Sequence, residues 1–278
     1  MKFWEHSWFW GLVGAAILLA VFGIFTVTGF PGEPDECVTE PDGNCYCEAY
    51  VSPEVDNTGV KQPSNTWSAL APILFGVIIL YWADQERFRR AVGNNPMTTG
   101  SFYSIFFGAL VIFLGPGSMF FHGSLTRWGG FIDSFSMVLF MTFLILYNIF
   151  RIFRWDEYKG WFVVLYAGII VALAIPSYAV TSIPFGLIAF AALVVGEIIF
   201  EIVISASSPR GVARRWLPWL LLALITFAVA MALWVMGWTG SPFCNPNSAW
   251  QFHIPWHILA MGVTPFFIFL YLRSETRT

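Results

Sequence analysis

Charge is what this chain has least of. Asp, Glu, Lys and Arg make up 11% of its 278 residues, where a soluble domain carries about a quarter. A chain so poor in charge cannot cover a water-facing surface, which excludes a soluble globular protein. No run of basic residues offers a nucleic-acid patch, and no glycine-rich loop has the pattern that cradles a phosphate. No repeat of fixed period is present, which excludes a solenoid. Histidine is scarce, with four in all, and cysteine is equally scarce. Any chemistry that needs imidazole must come from very few positions.

What fills the chain is apolar: 57% of residues are hydrophobic and 19% aromatic. A helix crossing a hydrocarbon core of roughly 30 Å needs about 20 apolar residues. Eight such runs are readable: Ser7–Phe30, Asn65–Ala83, Gly100–Phe121, Gly130–Phe153, Trp161–Thr181, Ile183–Ala206, Trp216–Trp238 and Gln251–Leu272. The expected fold is all-α and polytopic. Residues 1–30 form an N-terminal transmembrane anchor, 31–64 an extracytoplasmic loop, and 65–278 a membrane core of seven transmembrane helices. Eight crossings leave both termini on one side. Of the 14 Lys and Arg, that side receives all but Lys61 and Arg127. Basic loops face the cytoplasm, so both termini are expected there, with the chain in the plasma (inner) membrane. The first run is long and holds several Trp and Phe, and no small-x-small cleavage site stands out. A retained anchor is expected rather than a cleaved signal.

Cys37, Cys45, Cys47 and Cys244 all fall in loops on the charge-poor side, where disulfides persist. Four cysteines permit three pairings, and the sequence leaves the choice open. A bond from Cys45 or Cys47 to Cys244 would tie the first loop to the start of the last span. That loop carries Glu33, Asp35, Glu36, Glu40, Asp42, Glu48, Glu54 and Asp56 among scattered Pro, Gly and Asn. It reads as an acidic cap with little regular structure.

Ionisable groups inside hydrocarbon are costly and are functional by default. His253 and His257, at i and i+4, share one helix face. Pro255 between them is tolerated only in a first turn, which places the pair at the start of the last span. His122 closes the stretch Gly115-Pro-Gly-Ser-Met-Phe-Phe-His in the third run, and Asp133 opens the fourth. The loop arginines, which take no part in this pattern, put all four residues at one depth, towards the extracytoplasmic side. Three imidazoles with an open fourth position are the ligand set of a catalytic zinc. Asp133 suits a general base or a group orienting a histidine; its plainer reading is a helix N-terminal carboxylate. Ser118, on the same helix face as His122, suits an oxyanion donor, or simply a bond to a backbone carbonyl. Gly115, Pro116 and Gly117 either make room for a substrate or permit close helix packing. Glu197 and Glu201 form a second i,i+4 pair in the cytoplasmic half of the sixth run. Cation binding, proton relay and pairing with Arg214 and Arg215 are all open to them. His6 is assigned no role.

In these residues the chain resembles the alkaline ceramidase-like membrane hydrolases, and looks like a prokaryotic-type member. That family belongs to a superfamily that also holds adiponectin-receptor-type proteins and remodelling factors of glycolipid-anchored proteins. The pattern is Ser118-x3-His122, then Asp133, then His253-x3-His257. The run Gln62-Pro-Ser-Asn-Thr-Trp-Ser is similar to the opening of the family's first core span, and Cys47-Glu48 to its upstream Cys-Glu. The resemblance covers roughly residues 45 to 272. It implies a seven-helix hydrolase core with an added N-terminal helix, Zn2+ held by the three histidines, and hydrolysis of a ceramide-like membrane lipid. The family also places a calcium site before its first core span. Glu48 and Asn65 are the residues a calcium or loop site would use here; Gln62 stands where the last acid would be, which argues against Ca2+. Rival readings are a receptor-like bundle with a structural zinc, a lipid esterase or phospholipase of the same superfamily, and a transporter. Oligomeric state is not encoded in any of these features.

Overall fold

The computed structural model describes residues 3–39, 45–88, 95–99, 102–179, 185–207 and 210–274. Lys2, Glu40, Asp42, Arg89, Arg90, Gly100, Thr181, Ile183 and Arg277 lie outside them, as do the side chains of Arg210, Arg214 and Arg215.

Eight helices are long and apolar enough to cross a membrane: Ser7–Thr28, Pro63–Phe88, Phe102–Ser124, Arg127–Phe153, Lys159–Ala179, Phe185–Ala206, Trp216–Met236 and Ile254–Ser274. Each overlaps one expected run, and the chain is an all-α multi-pass membrane protein. The described residues form no strand, only the isolated bridges Pro34–Thr126 and Tyr46–Trp238. Boundaries differ where polar residues continue a helix past its apolar stretch. The second span begins at Pro63, whose missing N–H costs nothing in a first turn, and runs on through Asp84, Glu86 and Arg87 to Phe88. The last begins at Ile254, with Pro255 in its first turn.

The third and fourth spans form the centre, with 78% and 67% of their membrane windows buried, against 11 to 17% for the first, fifth, sixth and seventh. In a bilayer those outer faces meet lipid, which is as apolar as they are. Close packing at the centre comes from small residues. A Cβ on Gly117 would stand 2.7 Å from Ser136 of the fourth span, and one on Gly115 would stand 2.6 Å from the Ala69 carbonyl oxygen. The Gly-Pro-Gly stretch therefore serves helix contact, the second of its two expected readings. The last span is not a uniform helix: Leu259–Val263 form a π-turn between Ile254–Ile258 and Thr264–Ser274. Such turns recur at functional sites, and this one follows directly on the segment that carries His257.

At the end remote from the histidines, Asp84 joins the first helix to the others. Its fully buried carboxylate accepts from the backbone N–H of Ser7 at 2.6 Å and of Trp8 at 3.3 Å. It caps, from another helix, two of the N–H groups that a helix start leaves orphaned. Asp84→Ala should destabilise the protein by about 1–3 kcal/mol and loosen the first helix. A lower thermal midpoint and faster proteolysis of the N-terminal segment check this; a variant unchanged in both would show that the cap does not hold the helix.

Candidate metal centre

The third span ends, and the fourth and eighth begin, at the same end of the bundle. This brings His122, His253 and His257 together. All three are buried, and one ligand atom from each lies within 4.8 Å of the others.

The hydrogen bonds around the rings decide which nitrogen faces inward. The Gln62 amide donates from Nε2 to the carbonyls of Tyr46 at 3.2 Å and Glu48 at 3.4 Å. Its Oε1 is left to accept from His122 Nδ1 at 2.7 Å. The Ser68 hydroxyl donates to the Asn65 carbonyl at 2.9 Å, so at 2.7 Å it accepts from His257 Nδ1. Both rings therefore carry hydrogen on Nδ1 and present the Nε2 lone pair. His253 Nε2 lies 3.1 Å from His122 Nε2, a separation that calls for a proton or a cation between the two nitrogens. The donor set fits a zinc: three neutral imidazoles, two of them held by outer partners that fix tautomer and direction.

Asp133 and Ser118 complete the constellation. The Ser118 hydroxyl contacts the Asp133 carboxyl group and also lies 3.0 Å from His257 Nε2. Among the described residues, the cluster with metal-ligand geometry takes in the three histidines and leaves Asp133 outside. Asp133 instead lines a cavity.

The polar loop roofs this site. Its disulfides pair Cys37 with Cys45 and Cys47 with Cys244, so the tie between first loop and last span runs through Cys47. Between the two bridges sits Tyr46, whose ring lies 3.8 Å from that of His253 and whose hydroxyl accepts from Trp234 Nε1 at 3.1 Å. Burial, and then the neighbouring Asp133 charge, push the Tyr46 phenol above its ordinary range, so it stays protonated. Glu48 spends both carboxylate oxygens on the backbone N–H groups of Ser64 at 2.7 Å and Asn65 at 2.9 Å. This caps the start of the second span. The Asn65 amide approaches Gln62 Oε1 at 3.4 Å.

A cavity of about 740 Å³ opens beside the site, bordered by Asp35, Tyr46, Asp133, Tyr178, Phe190 and Trp256. Burial pushes the Asp35 carboxyl at its mouth up from the ordinary range. A second cavity of about 380 Å³ shares Met137, Phe190, Val194, Phe227 and Trp256 with the first and continues away from the histidines to Glu197 and Glu201. The sixth span packs on the fourth and the seventh on the eighth, while among the described residues the sixth and seventh scarcely touch. Glu197 and Glu201 stand apart from the histidines. Asn148 Nδ2 donates to both, at 2.9 to 3.0 Å, and Arg151 Nη2 lies 3.2 Å from Glu201, which also accepts from the Tyr271 hydroxyl.

Sequence reasoning missed the parts played by Tyr46, Asn148 and Arg151, and had Ser68 only as the last residue of the run that Gln62 opens. Ser68 carried a usable signal, since it stands three residues after Asn65 on the helix face that Gln62 opens.

A family model described as Ceramidase matches residues 58–277 of the chain. Among curated proteins, none matches it.

Proposed function

The chain belongs to the ceramidase family, and on that premise we propose that it is a zinc-dependent intramembrane hydrolase cleaving the amide bond of a ceramide-like lipid. The observation that carries the zinc reading is the convergence of His122, His253 and His257, with two of the rings held through Nδ1 so that Nε2 points inward. When bound, zinc supplies Lewis acidity, polarising the amide carbonyl and bringing the pKa of water towards neutrality. Asp133 takes a proton from the attacking water and returns it to the leaving amine as the C–N bond breaks. Ser118 donates to the carbonyl oxygen as negative charge develops there. Gln62 and Ser68 hold two rings in position, and Tyr46 covers the third. The products are a fatty acid and a long-chain amine.

Substrate reaches the site sideways, through the gap between the sixth and seventh spans, into the cavity that Asp133 lines. The positive-inside pattern supports cytoplasmic termini and histidines towards the extracytoplasmic side, in a chain we assign to the plasma (inner) membrane. The N-terminal helix is an anchor added to a seven-helix catalytic core, and the loop between them is a disulfide-tied cap. Glu48 and Asn65 serve this cap rather than calcium, since the Glu48 oxygens already accept from two backbone N–H groups. A closed structural zinc is disfavoured by Asp133 standing outside the ligand cluster.

Elemental assay of the purified protein should find about one zinc per chain, as a single three-histidine site requires. Mass spectrometry should show ceramide converted to fatty acid and sphingoid base, with turnover lost on chelation and regained with zinc. Active material free of transition metal would overturn the proposal.

A further inference from the structure

Asp35 belongs to the cap loop, ahead of the residues that the family model matches, and it lines the same cavity as Asp133. Its position is fixed from several directions. Its backbone N–H donates to the Leu125 carbonyl at 2.9 Å, and Pro34 bridges to Thr126. The loop is thereby paired with the connection between the third and fourth spans. Asp35 Oδ1 accepts from the Cys37 backbone N–H at 3.0 Å, and Cys37 is bonded to Cys45. Asp35 Oδ2 rests against Gly130 of the fourth span, where a Cβ would stand only 2.8 Å from it.

Gly130 and Asp133 are three residues apart on one helix, so they share a face and differ by about 4.5 Å along the axis. Helical Cα–Cβ bonds lean towards the helix start, and the fourth span starts at Arg127. The Asp133 side chain therefore leans towards the level of the Asp35 carboxyl. One carboxyl stands by the histidines, and the other stands nearly one helical turn closer to the cavity mouth.

A ceramide carries hydroxyl groups at that spacing. Its base bears a primary and a secondary hydroxyl, each on a carbon next to the one that holds the amide nitrogen. By ordinary bond lengths their oxygens lie about 4–5 Å from the scissile carbonyl carbon. With the carbonyl beside Asp133, they come level with Asp35. Other polar groups of this wall are engaged with backbone: Arg127 donates to the Tyr178 carbonyl at 2.8 Å, and Ser177 to the Leu173 carbonyl at 2.7 Å. Resting on the proposed hydrolase reading, we propose that Asp35 accepts a hydrogen bond from a hydroxyl of the long-chain base and so determines specificity for hydroxylated amides. Lipid in the cavity covers the carboxyl from water. An amide without the hydroxyl must bury that carboxyl without its donor, and sites of this kind reject such analogues.

The test is kcat/KM for a ceramide divided by kcat/KM for the same lipid lacking its primary hydroxyl, and then lacking its secondary one. The wild type should favour ceramide over at least one of these by roughly tenfold to a hundredfold, the worth of one buried hydrogen-bond partner. Asp35→Ala should bring that ratio close to unity by slowing ceramide and sparing the deoxy lipid. Gly130→Ala keeps Asp35 but drives its Oδ2 from its seat, and should lower the same ratio; it decides the matter should Asp35→Ala fail to fold. A carboxyl that only braces the loop would slow both lipids alike and leave the ratio unchanged, which overturns the proposal. A wild type indifferent to both hydroxyls overturns it as well. Should the wild type cleave neither ceramide nor deoxy lipid, the hydrolase reading fails, and thermal stabilisation by the same lipids still judges Asp35. Ceramide should then stabilise the wild type more than the deoxy lipid does, and Asp35→Ala equally with both; equal shifts in the wild type would overturn the role of Asp35.

Discussion

His122→Ala is expected to remove both the zinc and all measurable ceramide hydrolysis, a loss of at least about a thousandfold given what a Lewis-acid metal supplies. The ring comes from the end of the third span, and its Nε2 lies 3.1 Å from that of His253. With His122 gone, His253 and His257 remain at the start of one short helix, the first capping it and the second within it, and cannot by themselves enclose an ion. Stability should change much less than activity, because the centre of the bundle is held by helix packing independent of the ring, as at Gly117 against Ser136. The measurement is zinc content and turnover side by side on protein that elutes as a single species in detergent. A variant that keeps zinc, or one that turns over ceramide without it, would refute the assignment of His122 as a ligand. A variant that loses zinc and unfolds would favour a structural ion.

The contrast between what was readable in the sequence and what was not follows from the range of the forces involved. The eight spans were legible because membrane crossing is imposed by length and apolarity on each segment separately. The histidines were legible because Pro255 favours the first turn of a helix, and because the alternation of the spans brings the end of the third and the starts of the fourth and eighth to one end of the bundle. Gln62 was seen as a departure from a family pattern, yet its work of holding His122 Nδ1 depends on contact across 60 residues of sequence. Tyr46 was hidden for a similar reason. Its place over His253 depends on two disulfides whose pairing no spacing rule selects. The glutamate pair was found, with cation binding, proton relay and pairing to Arg214 and Arg215 all open. The structure supplies Asn148 and Arg151 of the fourth span as partners. A buried carboxylate is satisfied by whatever faces it across a packed helix interface, and that is a tertiary fact.

Asp133→Asn should lower kcat by about 10²–10⁴, the usual worth of a positioned general base, while zinc content stays at the wild-type level. Asparagine keeps the shape and the contact with Ser118 but cannot accept a proton. The separation of the two effects is the informative part. Asp133 lies outside the histidine cluster and faces the larger cavity, so its loss should leave the ligands untouched. Ser118→Ala, by comparison, removes one donor to the developing oxyanion and should cost roughly a hundredfold, also without loss of metal. Were Asp133 the fourth ligand of a closed structural site, Asp133→Asn would instead weaken zinc retention and lower the thermal midpoint. Zinc retained with catalysis gone supports proton transfer by Asp133; zinc lost, or turnover preserved, assigns the carboxylate to another task.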